Sequence, residues 1–300
     1  MKIAIQGLGR MGMQIAERLV LEGHTVIAHN RSPEPLQTAA DFGAIAAPTK
    51  HDVLHAFEQE QPVIWIMLPA EIVEEHIREW LELLPHGSLI IDGGNSDFRN
   101  TQKHAEIIAA AGSDFVDVGT SGGILGLENG FSMMVGGDEA GFKTLEPALA
   151  SLAKPHGGYH YFGPSGAGHY VKMVHNAIEY GMMESLAEGY RMLKEGAYEN
   201  LDLAAAGEVW QHSSIVESSL NRLTTATLRE NPTLDGIDGS VAESGEARWT
   251  LEFARSKDIS LPAIEAAFSV RLASQAGDRT FATKLLAAMR NKFGGHLLNP

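Results

Sequence analysis

The 300-residue chain is 44% hydrophobic and 20% charged, enough for one large core or two ordinary ones. A formal net charge of −15 sets the surface against nucleic acid and anionic membrane, and the absence of cysteine excludes disulfides and thiolate metal sites. No apolar run approaches the ~18 residues of a membrane span. The opening MKIAIQGLG enters a strand pattern directly, without the basic and long apolar regions of a signal peptide, so a cytoplasmic enzyme is expected.

Short apolar runs at 2–6, 25–30, 63–68, 88–91, 115–118 and 131–135 predict strands. Helical patterns alternate with them near 10–23, 33–42, 49–57, 71–83, 99–111 and 138–153. This alternation predicts a largely parallel sheet with helices on both faces, an α/β Rossmann-like doubly wound domain. A short segment at 159–162 then precedes Gly163-Pro164-Ser165-Gly166, a composition that marks a boundary, so domains are expected at 1–163 and 164–300. Beyond it, helical patterns run over 167–194, 201–212, 215–229, 262–275 and 278–292. The Gly-, Asp- and Ser-rich 231–247 reads as a loop, which makes the second domain all-α.

Gly7-Leu8-Gly9-Arg10-Met11-Gly12 follows the first strand and opens a helix. Its glycines suit a tight turn, a close backbone approach to a pyrophosphate and close helix–sheet packing, with the helix N-terminus facing the anion. Dinucleotide binding is the expected role. An acid closing the second strand would select NAD through its ribose hydroxyls; this chain has His29-Asn30-Arg31-Ser32 there instead. Asn30 and Ser32 can donate hydrogen bonds and Arg31 can cap a phosphate, which favours NADP, with NAD as the alternative.

In a doubly wound sheet, ligands sit beyond the carboxyl ends of the strands. Three clusters are expected there: Leu68-Pro69-Ala70, Asp92-Gly93-Gly94-Asn95-Ser96, and Asp117-Val118-Gly119-Thr120-Ser121-Gly122-Gly123. Each glycine pair frees backbone N–H groups for a bound oxygen, and Asn95 and Ser121 add side-chain bonds. Leu68, Pro69, Ala70 and Asn95 are assigned to the cofactor. Such residues are also ordinary turn formers, and it is their common position at one sheet edge that argues for a site.

The segment GAGHYVKMVHNAIEYG, 166–181, carries Lys172, His175, Asn176 and Glu179 at i, i+3, i+4 and i+7, within one arc of a helix whose other positions are apolar. A solvated polar stripe is the bland alternative. The catalytic reading is that a desolvated lysine serves as a base and a carboxyl held protonated serves as an acid. His51-Asp52-His55 has metal-like spacing but lacks a third partner, so it is read as a solvated helix face and no metal is expected.

With DGGNS and DVGTSGG, this segment resembles the decarboxylating 6-phosphogluconate dehydrogenases of the β-hydroxyacid dehydrogenase superfamily, in their short form with a single helical array. The resemblance runs from GLGRMG to the tail RNKFGGH. It implies that Lys172 is the base that takes the proton of the substrate C3 hydroxyl as hydride leaves C3. It also implies that Glu179 protonates C1 of the enediol after CO₂ is lost, giving ribulose 5-phosphate. Asn95, Ser121, Gly122, Gly123, His175 and Asn176 match substrate-binding positions, and Tyr180 and Arg271 match groups that hold the sugar phosphate. Arg290 and His296 match residues supplied by a second subunit, which implies at least a dimer. One departure stands out. Long-form enzymes carry a lysine and a threonine on the phosphate side, where this chain has Ser244 and Glu246. A carboxylate cannot hold a phosphate directly, so either Arg248 takes over or the pocket is rearranged. The alternatives are a simple β-hydroxyacid dehydrogenase acting on an unphosphorylated acid and a non-catalytic cofactor-binding protein.

Overall fold

A computed structural model describes residues 1–295. The chain divides into two compact units that join at Lys172 and Met173.

The first unit begins as its sequence dictates. In β1 (Lys2–Gln6) successive apolar residues point to opposite faces, and both faces are buried: Ile3 and Ile5 enter one core, Ala4 the other. β2 (Thr25–His29), β4 (Val63–Ile66), β5 (Leu89–Asp92) and β6 (Asp114–Ser121) repeat the pattern, and a two-residue β3 (Ile45–Ala46) adds an edge. With β7 (Ser132–Gly137) and β8 (Gly158–Tyr161) the sheet has eight strands in the order β3-β2-β1-β4-β5-β6-β7-β8. The pairs from β3 to β6 are parallel, β7 runs antiparallel to β6, and β8 is parallel to β7. The result is a Rossmann-like doubly wound layer extended by two strands.

Helices α1 (Arg10–Leu21), α2 (Pro33–Asp41) and α7 (Glu139–Leu152) bury Ile15, Leu19, Leu36, Leu145 and Leu149 on one face of the sheet. On the other face α3 (Lys50–Phe57), α4 (Ala70–Leu81) and α5 (Phe98–Ala110) bury Val53, Phe57, Val73, Ile77, Trp80 and Ile108. Asp52, from the metal-like trio, closes a capping box with Thr49 while His51 and His55 stay exposed, and among the described residues no group of three ligands is placed to hold a metal. The Gly-rich segment after β6 carries a single 3-10 turn at Gly123–Leu125 and a one-turn helix, α6 (Gly126–Asn129).

Helix α8 (Ala167–Glu195) starts in the first unit and continues into the second. There α9 (Leu203–Trp210), α10 (Ser219–Glu230), α11 (Glu246–Ser256), α12 (Pro262–Gln275) and α13 (Phe281–Gly294) complete an all-α unit. Met183, Ala187 and Tyr190 of α8 join Leu228, Leu285, Leu286 and Met289 in its main core. Besides the short turns at 123–129, two elements escape the sequence reading. β3 is two exposed residues with no alternation to reveal it. α11 starts inside the stretch expected to be a loop, with Gly245 at φ +99 as its cap. No helix among the described residues is long and apolar enough to cross a membrane.

One buried contact locks α4 to the end of β1: the Trp80 indole N–H donates to Gln6 Oε1 at 2.6 Å. Trp80→Phe leaves that oxygen without its donor inside the core. The unfolding free energy, read by urea denaturation, should fall by about 1–3 kcal/mol.

Candidate active site

The glycine-rich loop divides its labour. Gly7, at φ +99, has no room for a methyl, which would strike Met67 O, and a methyl on Gly12 would strike the Gly7 carbonyl. These two glycines fix the turn and bring α1 against it. A methyl on Gly9 would meet nothing within 4 Å, and Gly9 is extended at φ −70, so its backbone is left open to an approaching ligand. The loop therefore fits a dinucleotide pyrophosphate at the start of α1, with Leu8 buried beneath it, Met11 half-buried and Arg10 exposed.

Asn30 does something the sequence did not show. Its side-chain oxygen accepts the Leu8 N–H at 3.1 Å and its amide donates to Ser32 O at 3.2 Å, so it ties the two loops together. Arg31 is exposed and forms no ion pair among the described residues, and Ser32 caps α2 without a side-chain bond to it. Leu68 is half-buried, and the exposed Pro69 precedes Ala70, the first residue of α4.

At the end of β5, buried Asp92 accepts from Gly94 N at 3.1 Å and Ser96 Oγ at 2.7 Å and so folds DGGNS into a tight loop that leaves Asn95 exposed. The glycine pair in this loop has a packing cause: a methyl on Gly93 would collide with the Trp65 ring, and one on Gly94 would lie 2.8 Å from Leu68 O.

β6 supplies the seat for α8. Asp117, fully buried, accepts the backbone N–H of Gly166 at 2.7 Å and of His169 at 2.8 Å, which places a carboxyl at the N-terminus of α8. Desolvation pushes its pKa up, and the His169 ring and the two N–H bonds oppose that shift. The His169 ring is held in turn by Thr101, Nδ1 to Oγ1 at 2.8 Å. Gly168 leaves no space for a methyl against Met134 O, and a methyl on Gly119 would collide with Lys172 Cβ. Lys172 is thereby held against β6, with 7% of it exposed. Gly119 thus serves close packing. The later pair is turned differently: Ser121 ends β6 half-buried, Gly122 is exposed at φ +137, and Gly123 enters the 3-10 turn at φ +55.

Within the helical unit, α8 presents His175, Asn176 and Glu179 half-buried and Tyr180 buried. The apolar remainder of the helix is less enclosed than its sequence suggests, because Ile178 and Met182 are about half exposed. Arg271 of α12 lies under the Tyr180 ring, its guanidinium carbon 3.2 Å from the centroid, and only 1% of the residue is exposed. Burial pulls its pKa down to about 10. Arg290 of α13 is also buried, and burial lowers its pKa against the opposing pull of Tyr180, Glu179, Glu246 and Glu243 of its own chain. Neither arginine forms an ion pair among the described residues. A buried guanidinium without a directly paired carboxylate is costly, so two of them in one helical unit are a feature the fold alone does not explain.

Within its own chain Arg290 stands among groups of the helical unit, and the resemblance assigns it to a second subunit's site. His296 lies outside the described residues. Arg248 donates to Glu243 Oε1 at 2.7 Å and packs on Phe268 at the surface. Ser244 is drawn to Tyr180 instead, its backbone N–H donating to the phenol oxygen at 3.2 Å.

One buried carboxyl escaped the sequence reading. Glu184, one turn beyond Tyr180, is 7% exposed, and desolvation together with Glu188 raises its pKa to about 7 against the pull of Arg271. A longer register on α8 would have found it, since the stripe continues at i+4 from Tyr180.

Two tests follow from this geometry. Gly9→Ala should leave the melting temperature within about 1 °C of the parent yet weaken dinucleotide binding about 10-fold or more, whereas Gly12→Ala should lower both. Calorimetry and cofactor titration read the difference. Because the folded pKa of Glu184 is above its unfolded value, the neutral carboxyl is favoured by folding. Its contribution is full below pH about 4.5 and is lost as pH rises toward about 7. Glu184→Gln should flatten the stability–pH curve across that window by up to a few kcal/mol, read by denaturation at a series of pH values.

Two family models match the chain: the NAD binding domain of 6-phosphogluconate dehydrogenase over residues 2–164, and the 6-phosphogluconate dehydrogenase C-terminal domain over residues 168–299. A Haloferax volcanii protein named 6-phosphogluconate dehydrogenase, NAD(+)-dependent, decarboxylating, is 36% identical over 99% of this chain and 98% of its own length. The solved 6-phosphogluconate dehydrogenase of Plasmodium falciparum, studied in its apo form, with NADP+ and with 6-phosphogluconate, superposes with a TM-score of 0.82 at 26% identity. It is matched over 100% of this chain and 67% of that one. The 3-hydroxyisobutyrate dehydrogenase of Mycobacterium tuberculosis shares the fold, with a TM-score of 0.72 at 21% identity over 95% and 97% of the two chains. The chain belongs to the 6-phosphogluconate dehydrogenase family and is an oxidoreductase that uses a nicotinamide cofactor.

Proposed function

We propose that this member of the family oxidises and decarboxylates 6-phosphogluconate to ribulose 5-phosphate and CO₂. The observation that carries the reading is the pair of buried arginines, Arg271 and Arg290, which make no direct ion pair among the described residues and interact with Tyr180. An unphosphorylated acid gives the helical unit no second anion to place there, whereas a sugar-acid phosphate carries one at the end far from its carboxylate.

The cofactor, when bound, accepts hydride from C3 of the substrate. Lys172, held against β6 by the close approach at Gly119, is the group assigned to take the C3 hydroxyl proton as C3 is oxidised. The product is a β-keto acid, and the protonated lysine polarises its ketone while the C1 carboxylate leaves as CO₂. Glu179, seven residues further along α8 and so on the same arc of the helix, then delivers a proton to C1 of the enediol. His175 and Asn176 are assigned to the substrate hydroxyls, together with Asn95 and the Ser121-Gly122-Gly123 turn.

For the cofactor we propose NADP, on the exposed, unpaired Arg31 and the lack of an acid at the end of β2. NAD is the second reading, favoured by the name of the Haloferax relative and by the engagement of Asn30 with Leu8 and Ser32. Assembly of at least a dimer, implied by the tail segment, is part of the proposal.

Steady-state assays of 6-phosphogluconate against gluconate and 3-hydroxyisobutyrate, with each cofactor and with CO₂ release followed, test the reading. Turnover of an unphosphorylated acid without CO₂ would replace it with simple dehydrogenation. Lys172→Met should fold and bind cofactor while kcat falls by about 100-fold or more, and near-normal turnover would remove the base assignment.

A further inference from the structure

Glu246 is an unusual residue to bury. It opens α11, is 2% exposed, and stands where a long-form enzyme has a group suited to phosphate. One of its oxygens, Oε1, accepts from the Asn176 amide Nδ2 at 2.7 Å. The other, Oε2, is buried with no hydrogen-bond partner among the described residues. A buried carboxylate oxygen left unpaired is costly, and such a group in a native structure calls for a partner. The Arg290 guanidinium interacts with this charge without forming a direct ion pair.

The contact with Asn176 has a consequence one residue away. With its NH₂ turned to a carboxylate, the Asn176 amide must turn its oxygen the other way, and that oxygen lies 2.9 Å from His175 Nδ1. An amide oxygen only accepts, so the imidazole proton belongs on Nδ1 and Nε2 becomes the acceptor nitrogen. A chain of two hydrogen bonds thus transmits the orientation of Glu246 to the tautomer of His175.

We propose that Glu246 is a positioning residue for a polyhydroxy acid: Oε1 fixes the Asn176 amide and through it the Nδ1–H tautomer of His175, and Oε2 receives a hydroxyl hydrogen of the ligand. The proposal rests on the functional reading above for the identity of the ligand. It also accounts for the departure from the long-form pattern. A carboxylate repels the phosphate but suits the hydroxyl-bearing carbons, leaving the anion to Arg271 and Arg290.

Two variants separate the two oxygens. Gln in place of Glu246 can still present an oxygen to Asn176, but it puts an NH₂ where Oε2 was. Leu removes both. In ¹⁵N-detected spectra of the ligand-free protein at about pH 8.5, well above the usual imidazole pKa, the His175 signal, assigned by its loss in His175→Gln, should show Nδ1–H in wild type and in E246Q. It should move toward Nε2–H in E246L. For 6-phosphogluconate, KM should rise about 10- to 100-fold in E246Q, with the smaller effect on kcat. An unchanged tautomer in E246L, or a KM within twofold of wild type in E246Q, overturns the proposal, and if E246L does not fold, the E246Q kinetics still decide it. Wild-type protein that neither binds nor oxidises 6-phosphogluconate overturns the functional reading instead. The ligand-free spectra then still decide the role of Glu246 toward His175.

Discussion

The constraint that positions Lys172 is the approach of α8 to β6. A helix backbone comes within side-chain distance of a strand only where both sides carry glycine, and Gly168 and Gly119 occupy those places. Asp117 then fastens the helix by accepting two of its first N–H groups, a bond pattern that also satisfies donors a helix otherwise leaves open. Lys172 is positioned by this seat rather than by its own contacts with solvent. A long, flexible side chain is useful as a base only if its stem is fixed, and here the stem lies against a strand that cannot retreat, because β6 is hydrogen-bonded on both sides.

The helical unit shows the complementary device. Where the sheet unit fixes Lys172 by packing, the helical unit buries two guanidiniums. Arg271 and Arg290 are buried without a direct ion pair among the described residues, in a chain whose formal net charge is −15. With so many carboxylates available, leaving these two guanidiniums unpaired is a specific arrangement of side chains. Glu184 sits nearest in the sequence of α8 to a role as partner, yet its own burial favours the neutral form. Desolvated positive charge of this kind marks a candidate anion site.

Much of this was legible in the sequence. Alternating apolar runs and helical periods gave the doubly wound layer, because a parallel strand buried on both faces leaves an unmistakable apolar run. The spacing of Lys172, His175, Asn176 and Glu179 gave one arc of one helix. The parts that stayed hidden depend on contacts between residues far apart in the chain. Asn30 was expected to donate to a cofactor; that it also ties two loops was hidden, since nothing in its neighbourhood announces a hydrogen bond to Leu8. Arg248 looked like a substitute phosphate ligand because it precedes Trp249, but Glu243, five residues before it, holds it at the surface. The glycines of DGGNS and DVGTSGG read as anion cradles, and Gly93, Gly94 and Gly119 proved to be demanded by packing.

That last revision bears on how a glycine-rich motif is to be understood. A glycine can be required because its own backbone must bend, because something else comes close, or because a ligand does. Gly7 and Gly122 belong to the first kind, with positive φ, and Gly12, Gly93, Gly119 and Gly168 to the second. Gly9 alone in the nucleotide loop has an ordinary backbone conformation and empty space where a methyl would be. The fold sets no steric demand for glycine there, and an open backbone at the start of α1 fits the close approach of a dinucleotide pyrophosphate.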